Sequence, residues 1–340
     1  MSDTGYAHLS AREAADRLIP VADTLVICHV HPDADALGSA FSLREILRVL
    51  GSRAYCVCQD EIPERLHFLV GDLQDSILRE RLPADFAPTR IVSVDTASPQ
   101  QMGTLYDVYG GKVDLMIDHH GKGEMYADGW ILPLAAATGE MICEIVNQLA
   151  EQGYEMPMAR IAHLLYAAIS SDTGCFRYNN VTPNTHRCAA ELLKMADGGV
   201  FDPADINHRL FEVKSAKLLL AEKLGFDRLH LFADGRIGIL DFPWHIKEKY
   251  ELLDEHLETL VDIPRGLEGV QVAVAIRQPG PEGVYRASMR SSCEVDVSEV
   301  CAAFGGGGHV RAAGCTIICD GGMDAVVGQV AEALMIAMKA

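Results

Sequence analysis

The 340-residue sequence predicts an α/β fold: a doubly wound, mainly parallel sheet domain followed by a smaller α+β domain. Three observations predict it. Apolar runs in the first half are short and continuous, as expected of strands covered on both faces. They alternate with helix-length stretches, the pattern of βαβ units. Beyond residue 214 the pattern changes to paired strands around tight turns.

In chain order, TLVICH (Thr24–His29) reads as the first strand. LGSAFSLREILRVLG reads as a helix with a glycine stop at Gly51. RAYCVC, RIVSVD (Arg90–Asp95) and VDLMIDHH (Val113–His120) follow as strands, the last two ending in polar residues. TGEMICEIVNQLAEQG, MARIAHLLYAAISSD and TPNTHRCAAELLKMA are helical. The first domain is placed at 1–195, with a partly helical connector at 196–214. The second domain, 215–340, opens with a helix (Ser215–Leu224) and a hairpin turning at Asp234-Gly235. A second hairpin turns through PGPEG. A glycine run, a short strand CTIIC and a terminal helix close the chain.

Composition narrows the function. With 49% hydrophobic and 23% charged residues, the chain is of soluble globular type. Its net charge of −19 repels long polyanions, so no long nucleic acid is expected as partner. A short anion remains open if metals, arginines or backbone amides receive it. Ten cysteines include no CxxC pair, which suggests free thiols in a reducing compartment. MSDTGYAHLSAREAADRL has no signal-peptide core, and no apolar run approaches the ~20 residues of a membrane span. The expectation is a cytoplasmic protein without a membrane partner.

Several acidic and histidine clusters lie where a strand or buried helix ends. They are His29, Asp33 and Asp35; Asp95; Asp118, His119 and His120; and Asp172. In open α/β sheets such positions converge on the ligand site. Singly, each has an ordinary explanation, since aspartates cap helices and form turns. Together they concentrate carboxylates that cannot all stay ionised without a cation. Two divalent metals bridged by one aspartate would resolve this. Oxygen and nitrogen ligands without thiolate suit Mn²⁺, with Mg²⁺, Co²⁺ or iron as substitutes. Paired metals about 3.5–4 Å apart commonly serve phosphate-ester hydrolysis.

These motifs resemble the DHH phosphoesterase superfamily. HVHPDADALGS is similar to its first motif, VSVDTAS to its second, Asp118-His119-His120 to its name-giving triplet and AAISSDTGCFRYNN to its fourth. FGGGGHVRAAG (Phe304–Gly314) is similar to the glycine-rich motif of the DHH-associated C-terminal domain. The resemblance runs from about residue 8 to the end. Motif order, length, ATGEMI and FRYNNVTPNT most resemble the bacterial nanoRNase/pAp phosphatases, which are bifunctional oligoribonucleases.

The resemblance implies two ions, the first on His29 and Asp33, the second on Asp35, His119 and Asp172, with Asp95 bridging. It leaves His31 outside the set. Asp118 would orient an imidazole, and His120 would face the scissile phosphate and assist the leaving oxygen, making Asp118, His120 and Asp95 the catalytic set. Arg290 and His309, with Gly306, Gly307 and Gly308, would bind the substrate's terminal phosphate. Backbone N–H groups of such a run can cradle a phosphate, although glycines also simply permit close packing. Arg265 and Arg311 are candidate helpers at that site but read first as surface charge, and Phe176 and Tyr178 read as base-stacking or wall residues. Ala34 stands where relatives often have glycine, so the turn must avoid positive φ or bear strain.

The implied activity is hydrolysis of short oligoribonucleotides (nanoRNA, pApA) to mononucleotides, and of pAp to AMP and phosphate. The site would lie in a cleft between the domains that admits ~2–5 nucleotides. A homodimer through the first domain is also implied. Competing readings are a cyclic or linear di-AMP phosphodiesterase, a manganese pyrophosphatase, which has no such glycine loop, and a long-strand exonuclease. A non-catalytic nucleotide sensor would be expected to have lost ligands.

Overall fold

The computed structural model describes residues 5–71, 78, 81–121 and 123–339. The chain divides into two compact units, Met1–Val213 and Lys214–Ala340.

The first unit is built on strands β1 (Thr24–Ile27), β2 (Ala54–Val57), β3 (Arg90–Val94), β4 (Leu115–Asp118) and β5 (Gly129–Ile131). All pair in parallel, in the order β2-β1-β3-β4-β5. The first four fall within the apolar runs read as strands. The edge strand β5 escaped that reading because three residues, Gly-Trp-Ile, make no recognisable run. The chain leaves β1 for β2 on one side and returns to β3 on the other. Connections therefore part between β1 and β3, leaving a crevice at the strands' carboxyl ends.

The helices are α1 (Ala11–Leu18), α2 (Ala34–Val49), the short α3 (His67–Val70) and α4 (Leu105–Tyr109), α5 (Thr138–Glu151), α6 (Met158–Asp172), α7 (Pro183–Asp197) and α8 (Pro203–Phe211). Strand residues Val26, Val92 and Ile117 face α2, α5 and α6 across a large buried core. The alternate residues Leu25, Ile27, Ile91 and Met116 face a smaller core closed by Met102, Leu105 and Tyr126. Both faces are covered, but long helices cover only one. Within the segment expected as a connector, α8 packs on α6: Ile206 is buried, and Asn207 accepts from Ser170 Oγ at 2.6 Å.

Local geometry at the expected motifs is specific. Asp33 caps α2, accepting from Ala36 N–H at 3.0 Å, so the ordinary role of an aspartate before a helix is also present. Ala34 is the first helical residue and avoids positive φ; left-handed backbone falls instead on His31 (φ 53°) and Asp95 (φ 52°). After α6 the chain turns through Gly174, Cys175 and Phe176, all left-handed. Phe176 stacks on His186 (ring centroids 5.5 Å apart) and packs against the main core, so it is a packing residue. Tyr178 is 36% exposed.

The motif glycine Gly38 has a steric reason. A Cβ there would lie 2.5 Å from the Leu164 carbonyl oxygen and 3.0 Å from Ala168 Cβ, on the facing α6. Close approach of α2 and α6 brings the acidic start of one helix beside the acidic end of the other.

The second unit holds a six-stranded mixed sheet, β6 (Leu229–Phe232), β7 (Ile237–Phe242), β8 (Val272–Arg277), β9 (Val284–Ser291), β10 (Gly307–His309) and β11 (Ala312–Ile318). Its order is β10-β11-β9-β8-β7-β6. Only β7 and β8 pair in parallel; β6–β7 and β8–β9 form the two expected hairpins. The helices of this unit are α9 (Ala216–Phe226), α10 (Trp244–Lys249), α11 (Asp262–Arg265), α12 (Val297–Ala303) and α13 (Gly322–Ala337). One sheet face packs on α12 and α13, the other on α9 and residues 254–261. Two details differ from the sequence reading. Strand β11 begins at Ala312, three residues before CTIIC, and the end of the glycine run is the edge strand β10.

All ten cysteines are free. Among the described residues, no helix is long and apolar enough to cross a membrane. The α2–α6 contact yields a test: Gly38→Ala should lower stability by about 1–3 kcal/mol through overpacking and weaken divalent-metal binding. An unchanged urea midpoint would refute this account of the glycine.

Candidate metal centre

The six expected ligands come from the carboxyl ends of β1, β3 and β4, the start of α2 and the end of α6. His29 follows β1, Asp95 follows β3, His119 follows β4, and Asp172 is the last residue of α6. The fold gathers them into two groups, His29–Asp33–Asp95 and Asp35–His119–Asp172. The ligand atoms within each lie within 4.8 Å of one another. A third group, Asp95–His119–His120, overlaps both.

Asp95 joins the groups. Its Oδ2 lies 3.5 Å from His29 Nε2, and its Oδ1 lies 3.6 Å from His119 Nε2. Two neighbouring carbonyls orient the imidazoles: His29 Nδ1 meets Val30 O at 2.7 Å, and His119 Nδ1 meets Ala135 O at 3.2 Å. A carbonyl accepts only, so Nδ1 carries a proton and Nε2 is the nitrogen turned to the carboxylates, where it can ligate once its own proton is displaced. His29 Nε2 is 3.8 Å from Asp33 Oδ1. His119 Nε2 is 3.9 Å from Asp35 Oδ2 and 3.3 Å from Asp172 Oδ2. Most of these separations are long for hydrogen bonds. They suit ligands of a common ion: when each is ~2.1 Å from it, two ligands lie between roughly 3 Å and 4.2 Å apart according to the angle at the ion. The donor set therefore fits divalent cations.

His120 is oriented differently. Its Nδ1 meets Asp118 Oδ1 at 2.7 Å and lies 3.7 Å from Asp95 Oδ1. Asp118 and His120 line a cavity of about 290 Å³ whose apolar walls include Met116, Met125, Ile131 and Pro133.

Asp35 is fully buried and held by three donors: Thr138 N–H (2.7 Å), Gly139 N–H (2.8 Å) and Ser39 Oγ (3.1 Å). Helix α5 has Ala137 at its cap, which offers no side-chain oxygen. Asp35, 103 residues earlier than Thr138, accepts those amides instead. Thr138 Oγ1 also donates to Asp95 Oδ1 at 3.0 Å, and Asn180 Nδ2 donates to the backbone oxygen of Asp172 at 3.0 Å. Residue reasoning assigned no role to Thr138, Gly139 or Asn180, whose motifs entered only through resemblance. The available signal was a helix start without a capping side chain.

Electrostatics follow from this crowding. Burial, then the charges of Asp95 and Asp172, pushes the Asp35 carboxyl well above the usual range. Burial raises Asp172 to about 6 against the pull of His119. Burial lowers the His119 imidazole, but its bond to Asp172 and the charges of Asp95 and Asp35 lift it to about 11. His29 is likewise depressed by burial and raised well above its ordinary value by Asp33 and Asp95. Burial opposes ionisation of Asp95, yet His29, His119 and His120 hold it below the usual range. Metal-free, the cluster balances its charge with protons.

In the second unit, Arg290 on β9 and His309 on β10 both pair in register with Ala312 of β11. Registered neighbours share a sheet face, so the two side chains stand two strand spacings apart, roughly 10 Å. That face is opposite the buried Met289 and Ala313. Of the expected glycines, Gly306 and Gly308 have no room for a Cβ, blocked by Gly314 O at 2.2 Å and Ala312 O at 2.6 Å, while Gly307 faces open space. Packing against β11 therefore accounts for two of the three.

Metal binding must displace the protons on His29 and His119, because a ligating imidazole is neutral at Nε2. Affinity for Mn²⁺ should thus rise with pH between 6 and 8, by at most about tenfold per pH unit for each proton displaced. Asp172 adds its proton only near and below pH 6. Calorimetry in buffers of different ionisation enthalpy checks this; binding without proton release contradicts the assignment.

Comparison with known proteins gives the following. The DHH family, N-terminal domain, matches residues 23–169, and the DHHA1 domain matches residues 243–335. The chain is 33% identical over 297 residues to the bifunctional oligoribonuclease and PAP phosphatase NrnA of Thermus thermophilus, covering 86% of this chain and 83% of that one. It is 27% identical over 308 residues to the protein of the same description from Bacillus subtilis, covering 88% and 91%. Among solved structures, an exopolyphosphatase-related protein from Bacteroides fragilis shares the fold, with a TM-score of 0.82 and 21% identity over 97% of this chain and 98% of that one.

Proposed function

This chain belongs to the DHH family of phosphoesterases, and we propose that it hydrolyses short oligoribonucleotides to mononucleotides and pAp to AMP and phosphate. The observation that carries the reading is Asp95, whose two carboxylate oxygens face different imidazoles. We assign one divalent cation to His29, Asp33 and Asp95, and a second to Asp35, His119, Asp172 and Asp95, with Mn²⁺ preferred for both. When bound, such a pair stabilises charge on phosphoryl oxygens and lowers the pKa of water. This chemistry and the names of the relatives support the same substrate bond.

The protein's own groups have distinct tasks in this reading. Asp118 holds His120 through Nδ1. Burial depresses His120, but the Asp118 carboxylate raises it above its ordinary pKa overall, which suits a proton donor to the leaving oxygen. The adjoining cavity supplies room beside it. Arg290 and His309 bind the substrate's terminal phosphate, with the open Gly307 admitting close approach. The acidic surface disfavours long strands.

With Mn²⁺, the purified protein should release AMP from pAp and from pApA faster than nucleotides from a long RNA, and Asp95→Ala should lose both activities. Turnover of pyrophosphate alone, or of long RNA at the same rate, would overturn the reading. Arg290→Ala should raise KM about 10–100-fold, as expected for loss of a charge-assisted contact, with metal content unchanged. An unaltered KM would remove Arg290 from the substrate site.

A further inference from the structure

Thr138 is wholly buried and touches two of the four carboxylates that crowd the centre, Asp35 and Asp95. Its Oγ1 lies 3.0 Å from Asp95 Oδ1, and its N–H lies 2.7 Å from Asp35 Oδ2. An ionised carboxylate only accepts, so the hydroxyl is the donor. A carboxylate has about four acceptor positions, two per oxygen. On Asp35, Gly139 N–H and Ser39 Oγ occupy Oδ1, while Thr138 N–H takes one position on Oδ2. The remaining position lies on the oxygen nearest His119.

Asp95 has its backbone fixed in the left-handed region. Its side-chain torsions then decide which way each carboxylate oxygen faces. The Thr138 hydroxyl binds Oδ1 and fixes those torsions, leaving Oδ1 beside His119 and Oδ2 beside His29. Thr138 is the first residue of α5, so no preceding turn of that helix competes for the hydroxyl.

We propose that Thr138 is a positioning residue whose hydroxyl divides the two oxygens of Asp95 between the His29 and His119 groups, so that the centre takes two cations rather than one. This rests on the reading that those groups hold divalent cations. The hydroxyl, not the methyl, carries the role.

The test uses Mn²⁺ alone with the full chain, by calorimetry and by electron paramagnetic resonance, for the wild type, Thr138→Val and Thr138→Ser. The wild type should bind two ions and give the spectrum of a spin-coupled pair. Thr138→Val should bind one of the two ions about 10–100-fold more weakly and lose the coupled signal. Thr138→Ser should restore both. If Thr138→Val does not fold, Thr138→Ala compared with Thr138→Ser makes the same distinction. Wild-type stoichiometry and coupling in the hydroxyl-free variant would overturn the proposal, as would Thr138→Ser behaving like it, which would assign the role to packing. A wild type that binds no manganese would overturn the underlying metal reading instead.

Discussion

Four carboxylates, Asp33, Asp35, Asp95 and Asp172, share a small volume with the imidazoles of His29 and His119. Charge of one sign cannot be packed so densely, with Asp35 and Asp95 buried out of water, unless opposite charge lies within it. Protons can supply that charge, and so can divalent cations. The imidazole nitrogens face the carboxylate oxygens at ligand-like separations, and their other nitrogens are tied to Val30 and Ala135 carbonyls. The surrounding architecture holds these charges together against their repulsion.

Three features of the fold do this. The sheet order places the ends of β1 and β3 beside the crevice, which brings His29 and Asp95 together. Gly38 lets α2 approach α6, so the DxD pair meets Asp172. The amides at the start of α5 grip Asp35 in place of a local cap. Strain concentrates at the same place: Asp95, the carboxylate facing both groups, is left-handed without being glycine. The surrounding core, large on the helical side of the sheet, supports that strain.

The second unit shows a different economy. Its glycine run is partly an edge strand, and Gly306 and Gly308 answer to contact with β11. The ladder through Ala312 brings Arg290 and His309 to one face, although 18 residues of chain separate them in a sequence otherwise rich in acid.

The sequence determined the strands β1 to β4, both hairpins, the doubly wound class and the residue types of the centre. These follow from local apolar runs, turn chemistry and residues clustered at strand ends, all carried by near neighbours in the chain. It could not reveal β5, too short to form a pattern, nor the start of β11, where Ala312, Ala313 and Gly314 carry little strand propensity of their own. Nor could it reveal that Asp35 caps α5, that Thr138 reaches Asp95, or that Phe176 is held between Tyr166 and His186. Those relations join residues brought together by packing alone. Hydrogen-bond direction, the split of Asp95's oxygens and the protons the cluster carries depend on distances of a few ångströms, which only the tertiary structure sets.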